Sequence, residues 1–268
     1  MVVRLLGTGA ADGIPAFLSN TRVSQFARQH GGKDMRTRSA ALVDGSLKID
    51  LPPDTLAHIH RDQLDVRDWT ALLITHSHAD HFAVEELQYG MFPFSNLEYL
   101  CFSVYGNATV CAMARERYPN WPIDLVETRS FQGFTHGPYS ITSIRAQHVP
   151  EEDSLNFLIE RDGRTLLYAT DTGVWDEETF EFLSGRVAHA LVIECTEGGA
   201  ATSYEGHLDI GDCIRVVERL REMGFLGDNS RVVTTHHSHN GECTHAELES
   251  LLNPHGIEVG FDGMEFEA

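Results

Sequence analysis

The stretch Ile-Thr-His-Ser-His-Ala-Asp-His-Phe, residues 74–82, puts three histidines and an aspartate into six positions, directly after the apolar run 69–74. No other feature limits the fold as strongly. A continuous apolar run of this length reads as a buried strand, and the loop at its carboxyl end is where a rigid sheet usually carries a site. His76 and His78, two apart, can converge on one cation as the chain leaves the strand, while Asp80 and His81 just beyond can serve a second. Imidazole nitrogen combined with carboxylate oxygen suits Zn, Mn, Fe or Ni rather than Ca or Mg. A lone His-x-His would read as a solvated loop; the longer His-x-His-x-Asp-His pattern favours metal.

Two adjacent cations need about six or seven protein ligands, so the first group requires partners. Three more apolar runs end in a ligand-type side chain: 139–149 reaches His148, 164–173 reaches Asp171, and 231–239 reaches His236. Taken singly, each has a plainer reading. His148 reads equally as an exposed histidine, and Asp171 as a turn former beside Thr172-Gly173. His237 is a weaker candidate than His236, which comes first after its strand. Four repeats of one arrangement argue for a common centre.

The rest of the chain alternates strand-like runs (2–6, 40–43, 47–50, 70–75, 99–104, 139–146, 156–160, 165–169, 188–195, 231–235, 257–261) with helical patterns (53–63, 84–89, 107–117, 176–184, 209–223, 244–252). Asp44-Gly45 and Asp162-Gly163 sit between strand-like runs and predict tight hairpin turns. Ile210, Ile214, Val217 and Leu220 form a one-sided stripe, with Asp209 as a helix cap and Gly224 as its end. Layered sheets with helices outside, in one domain spanning 1–268, are expected. His58 and His60 lie two apart on a predicted helix, point to different faces, and read as surface residues. Trp69, Trp121 and Trp175 read as packing residues.

Composition enters through exclusions. With 20 basic and 40 acidic residues the net charge is −20, and no run of Lys and Arg interrupts it. Such a surface repels a long phosphate backbone, which disfavours nucleic acid as a partner but leaves open a small anion drawn to bound cations. No apolar run reaches transmembrane length, which disfavours a membrane partner. The apolar stretch of the opening residues is too short for a signal peptide. Five scattered cysteines without a CxxC pair fit a cytoplasmic location better than a disulfide framework.

The segments 7–15 (GTGAADGIP), 76–81 (HSHADH) and 258–268 (EVGFDGMEFEA), with His148, Asp171 and His236, resemble the metallo-β-lactamase superfamily. Within it, the ending and the segment 235–239 (THHSH) are most similar to the PhnP-type cyclic phosphodiesterases of the carbon–phosphorus lyase pathway. The resemblance implies an α/β fold, a four-layer αββα sandwich, with two divalent ions (Mn or Zn) at one edge of the sheets. By position, His76, His78 and His148 would hold one ion, Asp80, His81 and His236 the other, and Asp171 would bridge them. Asp50 would orient a ligand histidine, unless it is a turn or capping aspartate before Pro52-Pro53. His207 would stand by the substrate phosphate and protonate the leaving alkoxide, unless it merely flanks the helix beginning near Asp209. His207 and Asp80 are thus the candidate catalytic side chains.

The implied activity is hydrolysis of a small phosphodiester, such as a ribose or nucleoside cyclic phosphate, by a metal-bridging hydroxide. Hydrolysis of a thioester or lactone, or a catalytically silent metal-binding protein, is the alternative. A homodimer is compatible with the exposed sheet edges of such sandwiches. One departure stands out. PhnP-type proteins carry cysteines in the loop after the first glycines that hold a structural zinc with a late histidine. Here loop 16–34 contains no cysteine, so His239, at the late histidine's position, lacks those partners and is expected, with Asp50, to support the ligands from behind.

Overall fold

The computed structural model describes residues 1–98, 100–200 and 204–268. One seven-stranded sheet contains, in order, β1 (Val2–Gly7), β2 (Ala40–Val43), β3 (Leu47–Ile49), β4 (Ala71–Leu73), β5 (Ser103–Gly106) and β6 (Leu125–Glu127). The second contains β7 (Gly133–His136), β8 (Tyr139–Arg145), β9 (Leu155–Arg161), β10 (Arg164–Ala169), β11 (Ala188–Glu194), β12 (Leu226–Thr235) and β13 (Glu258–Val259). β14 (Glu265–Glu267) returns to the first sheet and pairs antiparallel with β1.

Side-chain alternation builds the layers. The inner faces meet through residues such as Leu5, Ala41, Ile49 and Leu73 on one side and Ile141, Phe157, Leu166 and Val192 on the other. Full burial of such a side chain is worth about 1.5–3 kcal/mol, so this middle layer is the main adhesive between the sheets. Of the six α-helices among the described residues, α1 (Arg22–His30) lies in the β1–β2 connection. α2 (Thr55–Asp62) and α3 (Ala108–Arg117) cover the first sheet through Ile59, Val110 and Ala114. α4 (Glu177–Leu183), α5 (Ile210–Glu222) and α6 (His245–Leu252) cover the second through Phe180, Leu183, Val217, Leu220 and Leu248. The order helix, sheet, sheet, helix is the expected four-layer αββα sandwich.

β3 to β6 run parallel, and so do β10 to β13. Parallel strands deliver their carboxyl ends to one edge, where α/β sheets bind ligands. Both Asp-Gly pairs form turns with positive φ at each residue, 49° and 71° at Asp44-Gly45 and 50° and 74° at Asp162-Gly163. Among the described residues no helix is long and apolar enough to cross a membrane.

Several expectations need correcting. The cysteine-free loop contains helix α1, whose Val23 and Ala27 are buried and whose Thr21 accepts from Ser24 N as a cap. β6, β7 and β14, all short, were not expected, and the run 257–261 is a strand only at Glu258–Val259. The run 84–89 is a 3-10 helix, Val84–Gly90. The run 99–104 begins on residue 99, outside the described residues, and the strand there is β5. On α5 the buried row is Cys213, Val216, Val217 and Leu220, with Ile210 and Ile214 only partly buried beside it.

His58 is also corrected, from surface to interior. It is 1% exposed and shares a hydrogen bond of 2.7 Å between Nε2 and Thr37 Oγ1. Burial, reinforced by Lys48 and Arg61, pushes its pKa down to about 2. An unfolded chain takes up a proton at this histidine near pH 6.5, whereas the folded chain keeps it neutral. Stability from this group is therefore complete above pH 6.5 and is lost as pH falls below it, by up to about 1.4 kcal/mol per pH unit. We expect denaturant midpoints to fall between pH 7 and 5, and His58→Gln to flatten that slope. An unchanged slope in the variant would contradict this account of His58.

Candidate metal centre

At the edge formed by the parallel strand ends, the structure brings together all seven predicted ligand residues. Three of the turns there use left-handed backbone at a non-glycine residue: φ is 58° at Asp50 after β3, 50° at Asp171 after β10, and 56° at His236 after β12. Strained backbone of this kind persists where surrounding contacts over-determine it. Here it swings each side chain off its strand end toward the centre.

His76, His78 and His148 form one group of facing ring nitrogens, and Asp80, His81 and His236 another. Asp171 lies between them. Its Oδ2 is 3.0 Å from His81 Nε2 and 3.2 Å from His236 Nε2, while its Oδ1 is 3.6 Å from His148 Nε2. One carboxylate thus turns one oxygen to each group.

The far side of most rings is tied down, which selects the nitrogen left facing inward. His81 Nδ1 is 2.7 Å from Asp50 Oδ2, and Asp50 Oδ1 also accepts from Thr75 N at 2.8 Å. His148 Nδ1 donates to Gly206 O at 3.1 Å. His236 Nδ1 meets Thr196 Oγ1 at 2.8 Å, and His76 Nδ1 meets Thr75 Oγ1 at 3.1 Å. Glu152 joins the ligand loop from outside, accepting from Ser77 N at 2.9 Å and from Asn107 Nδ2 at 2.6 Å.

The electrostatics call for a cation. Burial and the adjacent His81 push the His76 pKa well down, and its Nε2 is buried without a hydrogen-bond partner among the described residues. Burial disfavours charge on His81, yet Asp171, Asp80 and Asp50 hold its pKa well above the ordinary value. Burial likewise opposes ionisation of Asp171 and Asp80, but the imidazoles keep both carboxyls well below the usual range. Buried carboxylates and imidazoles at these distances, with one nitrogen lacking any partner, fit one or two divalent ions.

His207 stands at the rim. Its ring centroid is 4.8 Å from that of His148 and 5.4 Å from that of His236. Its Nδ1 is 2.8 Å from Oε1 of Glu194, a fully buried carboxylate. Burial lowers the His207 pKa, but Glu194, by charge and by hydrogen bond, raises it to about 9. Glu194 also accepts from the backbone N–H of Thr172 at 2.7 Å and Leu208 at 3.0 Å. A Cβ at Gly173 would fall 1.7 Å from Glu205 O, so only glycine lets the 204–207 segment lie against the Asp171 turn.

Glu194 was missed in the sequence, although it ends the apolar run of β11 as His148 and Asp171 follow theirs. Thr75, Thr196 and Glu152 were missed as well. His239 sits apart from the rings: its Nε2 is 2.6 Å from Asp12 Oδ2 and its Nδ1 is 3.1 Å from Thr21 Oγ1. It therefore ties the β1–β2 connection, through the cap of α1, to the segment after β12.

A cleft of about 770 Å³ opens beside the centre, walled by Gln147, His148, Val174 and Tyr204. An apolar cavity of about 680 Å³ lies under α2, and none of the ligand residues lines it. The chemistry of the donor set makes the first the relevant space.

The sequence matches the family described as Beta-lactamase superfamily domain over residues 41–237, a span that contains every ligand candidate. No curated protein matches it significantly. Solved structures share the fold at low identity. Zn(2+)-bound PqqB from Methylobacterium extorquens superposes with a TM-score of 0.78 at 18% identity, covering 100% of both chains. A diphosphatase from the PhnP family gives 0.78 at 18%, over 99% of this chain and 96% of that one. Human tRNase Z, short form, gives 0.67 at 19%, over 100% and 99%.

Proposed function

Because this chain belongs to the beta-lactamase superfamily, we propose that it is a two-metal hydrolase of small phosphodiesters, with cyclic phosphates of ribose or nucleosides the leading candidates. The observation that carries this reading is Asp171, whose two oxygens face two separate groups of ring nitrogens and carboxylate. His76, His78 and His148 would hold one ion and Asp80, His81 and His236 the other, with Asp171 shared. Nitrogen with oxygen donors suits Zn or Mn. When bound, such ions supply Lewis acidity, which acidifies water and offsets charge on an ester oxygen.

The chain's own residues do the rest. Asp50, Thr196 and Gly206 hold His81, His236 and His148 with the far nitrogen engaged, so the facing nitrogens stay aligned without reorganisation. Glu194 holds His207 by Nδ1, which directs Nε2 toward the rings of His148 and His236. Hydrolysis adds water across the P–O bond, and the proton needed by the departing oxygen comes from His207 Nε2. The net charge of −20 supports a small substrate over a long nucleic acid; a solved diphosphatase of the same fold supports phosphoryl chemistry.

The test is hydrolysis of bis(p-nitrophenyl) phosphate and nucleoside 2′,3′-cyclic phosphates with Mn or Zn, against a panel of thioesters and lactones. Turnover of the phosphodiesters is expected. Turnover of thioesters or lactones alone by the metal-loaded protein would overturn the substrate class.

A further inference from the structure

Lys48 is a charged residue in an apolar row. Across the outer face of the first sheet, paired positions read Leu42, Lys48, Leu72 and Val104, and Lys48 is as fully buried as Leu72 and Val104. An ammonium in such a place is costly unless its protons are satisfied. Among the described residues it makes no ion pair. Its Nζ donates instead to two backbone carbonyls, those of Ile49, at 3.1 Å, and of Asp50. Burial lowers its pKa to about 7, and either protonation state keeps N–H donors for both carbonyls.

Those carbonyls flank the one turn that matters most to His81. Asp50 adopts φ 58° as the chain leaves β3, and its carboxylate then reaches Thr75 N at 2.8 Å and His81 Nδ1 at 2.7 Å. We infer that Lys48 is a positioning residue for the metal centre: by gripping the carbonyls of Ile49 and Asp50, it fixes the turn that aims Asp50 at His81. Part of this inference, the effect on metal, rests on the reading proposed above; the effect on the Asp50–His81 hydrogen bond does not.

The experiment compares Lys48→Met with Leu72→Ala, a neighbour in the same row, by thermal melting, by imidazole N–H correlations in NMR, and by zinc titration. Lys48→Met removes the cost of a buried unpaired ammonium and takes a donor from two carbonyls; these terms are of opposite sign, so the variant is expected to fold. Its His81 Nδ1–H signal should shift or vanish, and zinc affinity should fall by about 10–100-fold, the range for outer partners of ligand histidines. Leu72→Ala should lower the melting temperature and leave both readouts as in the wild type. If Lys48→Met fails to fold, Lys48→Gln, which retains N–H donors, takes its place, and it should keep the His81 signal.

A Lys48→Met protein with the wild-type His81 signal and zinc affinity would reduce Lys48 to a packing residue and overturn the inference. So would a Lys48→Gln protein that folds yet has lost the His81 signal. A wild-type protein that binds no zinc would instead defeat the metal reading, and the NMR readout would still decide the role of Lys48.

Discussion

Asp171→Ala is expected to lower phosphodiester turnover by about four orders of magnitude, equivalent to about 5.4 kcal/mol of transition-state stabilisation, while the chain stays folded. Asp171 is 3% exposed and is the side chain that faces both groups of ring nitrogens. Removing it takes negative charge from His81, His236 and His148 at once, so each of the two ions proposed above would lose a ligand. Alanine also fits poorly at φ 50°, where asparagine is better tolerated. Asp171→Asn therefore separates charge from backbone strain, and it should lose at least about two orders of magnitude, the scale of one general catalytic contribution. Circular dichroism with kcat measured in Mn or Zn reads both variants. Wild-type turnover in Asp171→Asn would show that the carboxylate charge is not needed.

The second large effect is expected at His207. His207→Asn should lower kcat for cyclic nucleotides by about 10²–10⁴, the usual yield of a positioned acid. Its diagnostic feature is the leaving group. A p-nitrophenolate departs readily without a proton, whereas a ribose alkoxide does not, so the defect should be much smaller for bis(p-nitrophenyl) phosphate. Glu194→Gln should act in the same direction, because a glutamine N–H would oppose one of the donors from Thr172, His207 and Leu208 that now converge on the carboxylate. Equal defects on both substrates would remove His207 from proton transfer and leave it a binding role.

What the sequence made legible follows from where chemistry is concentrated. Apolar strands ending in His or Asp announce themselves here because four such ends recur in one chain, and loops at strand ends are where a rigid sheet carries a site. Glu194 obeys the same rule, but a single glutamate before Cys195 and Thr196 looks like the start of a polar loop. Beside the local N–H of Thr196, it accepts from Thr172, His207 and Leu208, three donors distant in sequence that no local pattern reveals. Lys48 and His58 were opaque for a related reason. Each is a polar residue inside an apolar layer: His58 is held by Thr37, 21 residues away, and Lys48 by backbone carbonyls one and two residues on, which a side-chain pattern does not display. The short strands β6, β7 and β14 have too few apolar residues to signal alone; β14 exists because Phe266 and its neighbours pair with β1. Helix α1 hides in a segment with few apolar residues, and its cap at Thr21 gains meaning through contact with His239.

The most direct test of a two-metal centre is elemental analysis of protein purified without chelator, alongside Asp80→Ala and His148→Ala. The account predicts about two equivalents of zinc or manganese per chain, falling toward one in either variant. The two variants should lose different ions, since Asp80 and His148 belong to different groups. Less than one equivalent in the wild type, after incubation with excess of either metal, would contradict the centre and the chemistry built on it.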